Sequence, residues 1–346
     1  MKKVTIQDIA KELDLSRNTV SKALRNSEQV SYETRYRVIK KACEMGYTKL
    51  SPTALRQAGF SDISDKNKTV VVLIKREISL FWNNIIMGIS DELNRYGYKL
   101  QLNFIKDEDE RNLVLPLNFD EEVSGIIILS VFSQEYLEHI VKHDIPTVFL
   151  DAPSNAGTVA GHSDIIICEG VNSVRQITSN LISQGLKKIG FIGDITYCRT
   201  INDRYQGYLK ALEEANIEPD NSIIAAYHVQ NRFYVTQEVE AALDGFPYIP
   251  EAIVCANDDI ALDVIRCLKS RGISVPGDVA VTGYDDMESL TRVEPFLTTV
   301  RVPKQKLGRR IVQQLIWRMN HPDFPREVVI IEVQVIFRES SKKQAG

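Results

Sequence analysis

The sequence predicts a small all-α helix-turn-helix segment followed by an α/β core of two doubly wound parallel-sheet lobes. Three observations carry that expectation. Residues 1–60 hold 12 Lys/Arg against 6 Asp/Glu, and the other 286 hold 30 against 40, so a basic segment precedes an acidic body. Three short stretches of helical spacing fill the basic segment, the first two separated only by Asp14 and Leu15. From Thr69 onward, β-branched runs alternate with amphipathic stretches, the pattern of parallel sheet covered by helices. A chain of 346 residues suits two or three domains.

Composition narrows the class. Hydrophobic residues make up 44% and charged residues 25%, which excludes a disordered, collagen-like or disulfide-stapled chain. No apolar run nears the roughly 18 residues of a membrane span, and no signal-peptide core follows Lys2-Lys3. Five cysteines (Cys43, Cys168, Cys198, Cys255, Cys267) form no CxxC pair, so a reducing cytoplasm is expected and neither metal nor cofactor is.

In the first segment Thr5 is an N-cap with Asp8 three residues on, followed by Ile6, Ile9, Ala10 and Leu13 at helical spacing. Ser16 caps a second helix with Val20, Ala23 and Leu24 inward. Ser31 caps a third with Val38, Ile39, Ala42 and Met45, closed by Gly46. In a helix-turn-helix the second helix enters the major groove with its N-terminal residues leading. Here those are Arg17 and Asn18, with Lys22 one turn on; Arg pairs bidentately with guanine and Asn with adenine. Thr19, Ser21, Ser31 and Thr34 are small hydroxyl donors suited to phosphate contacts.

The string VTIQDIAKELDLSRNTVSKALRNSEQVSYETRYRVIKKACEMGY resembles the DNA-binding domain of the lactose-repressor (LacI/GalR) family. The resemblance implies base contacts by Arg17, Asn18 and Lys22. Thr5, Ser16, Thr19, Ser21, Ser31 and Thr34 would lie nearer the DNA backbone. Ser51-Pro52 is a helix-start signal, and residues 51–68 are expected to be a hinge helix and linker between the DNA-binding domain at 1–50 and the core at 69–346. The family's hinge helix pushes a leucine into the minor groove. Leu55 is the candidate wedge, although counting from Tyr47 puts the family's leucine position on Arg56.

Strands are expected over Val70–Ile74, Lys99–Phe104, Gly125–Leu129, Thr147–Leu150, Lys188–Ile192, Ile223–Tyr227, Ala252–Ala256 and Val279–Tyr284. Ligands in such folds bind beyond the carboxyl ends of strands. Placed there are Phe81 and Trp82, Asp151, Arg204, Asn257 and Asp285, a palette for bidentate bonds to sugar hydroxyls and for ring stacking. Each is also a residue type that caps helices or closes loops without binding anything. GLKKIGFIGD, RYQGYLKAL, VCANDDIAL, RGISVPGDVAVTGYDD and PFLTTVRVP extend the resemblance over the whole chain. It implies a core similar to periplasmic sugar-binding proteins, with lobes expected at about 69–165 plus 300–325 and about 166–299 plus 326–340. Arg204, Asn257 and Asp285 match the family's polar effector contacts, Phe81 and Trp82 its aromatic entry, and Asp151 a pocket carboxylate. Phe233 or Tyr234 would supply a second stacking ring. Glu169, Cys198 and Val302 depart from residues common in the family.

The function expected is a homodimeric transcription regulator, a repressor of carbohydrate-utilisation genes, which binds a palindromic DNA operator and responds to a small sugar or sugar derivative. An alternative is control by a phosphorylated carrier-protein co-repressor. A sugar-acting enzyme is the rival from another class, with Asp258/Asp259 or Asp285/Asp286 as its carboxylate pair, but adjacent residues rarely face across one ring. His139 and His143 sit one turn apart yet lack the Glu of a zinc-protease helix, and there is no Walker loop, GxGxxG after a strand, or GxSxG.

Overall fold

The computed structural model describes residues 4–24, 29–45, 47, 68–75, 80–116, 123–153, 163–287 and 297–342. The chain divides into two compact units, Met1–Lys68 and Thr69–Gly346.

The first unit holds α1 (Ile6–Leu13), α2 (Arg17–Leu24) and α3 (Tyr32–Glu44). Each start is fixed by a side chain that satisfies an orphan N–H. Thr5 accepts from the Asp8 N–H at 3.3 Å, while Asp8 accepts from the Thr5 N–H at 2.8 Å, a closed capping box. Ser16 accepts from the Thr19 N–H at 3.0 Å and Ser31 from the Thr34 N–H at 3.3 Å. Such a cap is worth about 1 kcal/mol. Asp14 turns left-handed (φ 52°), and its N–H closes α1 on the Ala10 carbonyl, which makes the sharp fold-back. Ile9, Ala10, Val20, Ala23, Leu24, Val38, Ile39 and Ala42 then meet in one core.

The second unit is built on two parallel sheets. The first has the order β11-β5-β4-β3-β1-β2, from β1 (Thr69–Lys75), β2 (Lys99–Ile105), β3 (Val123–Ile128), β4 (Thr147–Leu150), β5 (Asp164–Cys168) and β11 (Val328–Ile331). The second has the order β7-β6-β8-β9, from β6 (Ile189–Ile192), β7 (Ile224–Ala225), β8 (Ala252–Cys255) and β9 (Ala280–Thr282). A short antiparallel pair, β10 (Thr299–Arg301) and β12 (Gln334–Ile336), runs beside them.

The pleat sends alternate residues of β1 to two apolar layers: Val70, Val72 and Ile74 to one, Val71 and Leu73 to the other. The first layer is covered by α4 (Leu80–Arg95) and α11 (Lys304–Asn320), the second by α6 (Gln134–Val141). α4 and α11 cross at two glycines: a Cβ on Gly88 would meet the Gln305 carbonyl oxygen at 2.2 Å, and one on Gly308 the Ile85 oxygen at 2.1 Å. Beneath α11, Arg318 is fully buried with all five donors used. They reach both oxygens of Asp164 (3.1 and 2.6 Å) and the carbonyls of His321, Phe324 and Pro325.

The lobe division expected from sequence is corrected here. A boundary at 165/166 cuts β5 in half, whereas all of β5 belongs to the first sheet. Residues 326–340 are expected in the second lobe, yet β11 pairs with β5 (Val328 beside Ile165) and extends the first sheet. β5, β10, β11 and β12 are strands beyond those expected, and the expected strand Ile223–Tyr227 shortens to Ile224–Ala225 after a 3-10 turn at Asn221–Ile223.

Candidate functional site

Two sites carry the expected residues, and each is described within its own unit. In the first unit, Arg17 and Asn18 are exposed on the first turn of α2, with Lys22 half-buried one turn on and no acidic residue in that first turn. Thr5, Ser16 and Ser31 are exposed, while Thr19, Ser21 and Thr34 are half-buried. The hydroxyls are already engaged locally: Thr5 donates to Asp8 at 2.6 Å, Ser16 and Thr19 share a bond of 2.8 Å, and Ser31 donates to Thr34 at 2.9 Å. Leu55 and the rest of the expected hinge helix lie outside the described residues.

In the second unit a cavity of about 880 Å³ opens at the carboxyl ends of both sheets. Lys75 ends β1, Ser130 follows β3, Asp151 follows β4, Asn257 follows β8 and Asp285 follows β9, and all five line it. Phe81 and Trp82 enter from the first turn of α4, with ring centroids 5.0 Å apart and planes at 84°. Arg204 comes from α8 (Arg199–Glu214), the helix after β6.

Arg204 is held on three sides. It donates to the Ala256 carbonyl at 2.7 Å, its guanidinium carbon lies 3.6 Å from the Tyr284 ring centre, and Asp285 Oδ1 is 4.0 Å from Nη2. Two buried atoms on this wall have no hydrogen-bond partner, the Nε donor of Arg204 and the Oδ1 acceptor of Asp285, the latter engaged in that 4.0 Å ion pair. Burial pushes the Asp285 carboxyl up to about 6 against the pull of Arg204 and Lys304. Its φ of 118° is a backbone region that L-residues rarely adopt. Asn257 accepts from the Ile260 N–H at 2.9 Å, so it caps α10 (Asp258–Ser270), and its amide also donates to the Tyr234 hydroxyl at 3.1 Å. Asp151, left-handed at φ 67°, accepts from the N–H groups of Ala152 and Thr200 and from the Thr200 hydroxyl.

One expected contact is wrong. Phe233 is fully buried in the apolar core, 5.8 Å from the ring of Tyr227, and does not line the cavity; its neighbour Tyr234 does. Left-handed Arg232 and Phe233 (φ 54° and 63°) reverse the faces in this loop, and Glu238 pins it by accepting the N–H groups of Asn231 (2.8 Å) and Phe233 (2.9 Å). Sequence reasoning also missed Tyr197 and Arg232, stacked at 3.9 Å on the cavity wall, and Thr200 and Lys75; no local pattern marks them. Of the departures noted above, Glu169 accepts backbone N–H groups of Asn172 and Ser173 at the start of α7 (Val171–Ser183), while Cys198 and Val302 line the cavity. Burial raises the Cys198 thiol well above its ordinary value and Cys168 to about 12, so both are neutral walls at pH 7.

Neither carboxylate pair of the enzyme reading faces across the cavity. Asp258 turns inward, accepting from Thr299 at 2.5 Å and from the Met287 N–H at 2.9 Å, and burial together with the nearby Asp285 pushes it up to about 8. Asp286 is clamped by Arg301 at 2.6 Å and Arg338 at 2.7 Å. The rings of His139 and His143 meet edge to face at 5.8 Å. Among the described residues no group of three or more His, Cys, Asp or Glu could hold a metal, and no helix is long and apolar enough to cross a membrane.

Comparison with known proteins gives a consistent picture. Residues 5–49 match the family described as bacterial regulatory proteins, lacI family, and residues 178–341 match the periplasmic binding protein-like domain. A curated relative, the HTH-type transcriptional repressor PurR of Mannheimia succiniciproducens, is 28% identical over 346 residues, covering 99% of this chain and 99% of its own. The solved complex of the transcriptional regulator CelR with cellobiose has a TM-score of 0.69 at 24% identity, covering 98% of this chain and 100% of its own. The Lac repressor dimer bound to operator and the anti-inducer ONPF has a TM-score of 0.63 at 22% identity, covering 98% and 99%.

Proposed function

We propose that the chain, whose residues 5–49 match the lacI family and which is 28% identical to a curated PurR repressor over 99% of its length, is a DNA-binding transcriptional repressor of that family, and that it represses carbohydrate-utilisation genes under the control of a small sugar or sugar derivative bound between the two sheets. The observation that carries the sugar reading is that two buried polar atoms on the cavity wall, the Nε donor of Arg204 and the Oδ1 acceptor of Asp285, have no hydrogen-bond partner. A hydroxyl both accepts and donates, so a ligand carrying several hydroxyls has the groups to satisfy a donor and an acceptor of this kind. Leaving either unsatisfied costs about 1–3 kcal/mol. Asp151 and Asn257 add polar partners and Phe81, Trp82 and Tyr234 add flat faces, which suits a ring carrying several hydroxyls. The solved relative that holds cellobiose supports the same chemistry.

On the DNA side, Arg17, Asn18 and Lys22 read base edges, and Thr5, Ser16, Thr19, Ser21, Ser31 and Thr34 set the register on phosphates. A homodimer presents two α2 helices to a palindrome, as the dimeric Lac repressor on its operator supports. Leu55 is the residue that would wedge the minor groove. Ligand binding changes the relation between the sheets and with it operator affinity, and the coupling is reciprocal.

The test is a thermal-shift panel of mono- and disaccharides, sugar phosphates and nucleobases on the full chain. The hit is then carried into an operator gel shift. A sugar at 100 times its Kd adds about 2.7 kcal/mol of stability and changes operator retention. Stabilisation only by nucleobases would replace the sugar reading and leave the repressor intact. Arg17→Ala costs about 1–3 kcal/mol of operator binding and relaxes one base position; unchanged discrimination would move base reading elsewhere.

A further inference from the structure

Strand β11 forms one edge of the six-stranded sheet. β5 pairs with one side of it, and among the described residues no strand pairs with the other. The backbone shows which groups look outward. The Ile165 N–H donates to the Glu327 carbonyl and the Glu169 N–H to the Ile331 carbonyl, each at 2.9 Å. In a parallel ladder a residue's N–H and C=O point to the same side and successive residues alternate. Val329 and the carbonyls of Glu327 and Ile331 therefore face β5. Arg326 and Glu332 are exposed just beyond the two ends of the strand, and Val328 and Ile330 turn their backbone groups to the open side. Of their side chains, Val328 is 49% exposed and Ile330 55%. Within Val328–Ile331 there is no Lys, no Pro and no bulge, and exposed Phe324 flanks the strand.

The edge is complementary to itself. In an antiparallel two-fold pair, outward-turned residues must stand opposite outward-turned residues to exchange hydrogen bonds. An axis through Val329 sets Val328 against Ile330 of the second copy and Arg326 against its Glu332, each pairing made twice by symmetry. An axis through Val328 sets Ile330 against Arg326, and one through Ile330 sets Val328 against Glu332, so both neighbouring registers oppose an apolar side chain to a charge. We propose that β11 is a self-association edge, pairing antiparallel with β11 of a second copy about Val329 and joining two six-stranded sheets into one. The inference is independent of what the cleft binds.

The test uses charge reversal and sedimentation of the full chain at micromolar concentration. Arg326→Glu places two carboxylates opposite each other at both ends of the pair, and Glu332→Arg places two guanidiniums there. Each weakens association about tenfold. The double variant Arg326→Glu/Glu332→Arg recovers it, with circular dichroism unchanged throughout. As a register check, Val329→Cys cross-links two copies on oxidation, because residues on the axis lie about 4.5 Å apart between Cα atoms, and Val328→Cys does not. Single reversals that leave sedimentation unaltered, a double variant as weak as either single, or equal cross-linking at both cysteines would overturn the proposal.

Discussion

Asp285→Asn separates what the cleft does from what stabilises it. Burial pushes the carboxyl of Asp285 up to about 6 in the folded chain, against about 3.9 when unfolded. A raised carboxyl contributes stability that is full below the unfolded value and lost as pH rises through the folded one. The difference between those two values corresponds to about 3 kcal/mol, lost between roughly pH 4 and pH 6. Asparagine keeps the shape and stays neutral, so at pH 7.5 the variant is more stable than the wild type by up to about 3 kcal/mol. At pH 4 the difference vanishes. The variant also relieves Asp258, whose pKa the Asp285 charge helps to raise. In the same variant the unpaired acceptor that meets a ligand hydroxyl is now uncharged, which weakens binding of the sugar found for the wild type by about 1.5–3 kcal/mol. Urea unfolding from pH 4 to 8 and calorimetric titration check the two arms. A variant less stable than wild type at pH 7.5, or one binding the sugar within twofold, would refute the reasoning.

Three further outcomes follow from the same geometry. Asp258, pushed up to about 8, makes the wild type lose up to about 3 kcal/mol as pH rises from 6 to 8; Asp258→Asn flattens that slope, and parallel stability curves for the two proteins would contradict it. Arg318→Met leaves the buried Asp164 charge without its partner and costs about 3–5 kcal/mol, which Asp164→Asn in the same chain partly restores; additive losses in denaturant unfolding would disprove the pairing. Phe233→Ala lowers stability by about 3–5 kcal/mol, whereas Tyr234→Ala leaves melting unchanged and weakens ligand binding; the reverse assignment in a thermal-shift experiment would show that the loop presents the other ring.

Local features of this chain were legible and non-local ones were not. Thr5, Ser16 and Ser31 each cap the helix that follows them, because capping is decided within four residues. Long β-branched runs such as Val70–Ile74 gave strands within a residue or so of their ends. β10 and β12 are only three residues long and carry no readable period. The lobe boundary failed for another reason. Asp164-Ile-Ile-Ile-Cys168 has a strand's composition, but its partner β11 lies far along the chain, and sequence pattern does not encode that pairing. Asp151, Asn257 and Asp285 follow strands and line the cavity, because the fold gathers strand ends together. Phe233 does not, since two left-handed residues in its loop invert which ring faces outward.

The position of β11 also bears on how the chain is made. The six-stranded sheet takes its first five strands from the first half of the sequence and its sixth from near the carboxyl end. During synthesis β5 is therefore a bare edge, with Ile165, Ile166 and Ile167 on it, until residues 328–331 have emerged and the whole second sheet has already been made. Arg318 reaches Asp164 only in that same final stretch. The first sheet begins first and finishes last, so the time for which its apolar edge is exposed to other nascent chains is set by the translation of the rest of the protein.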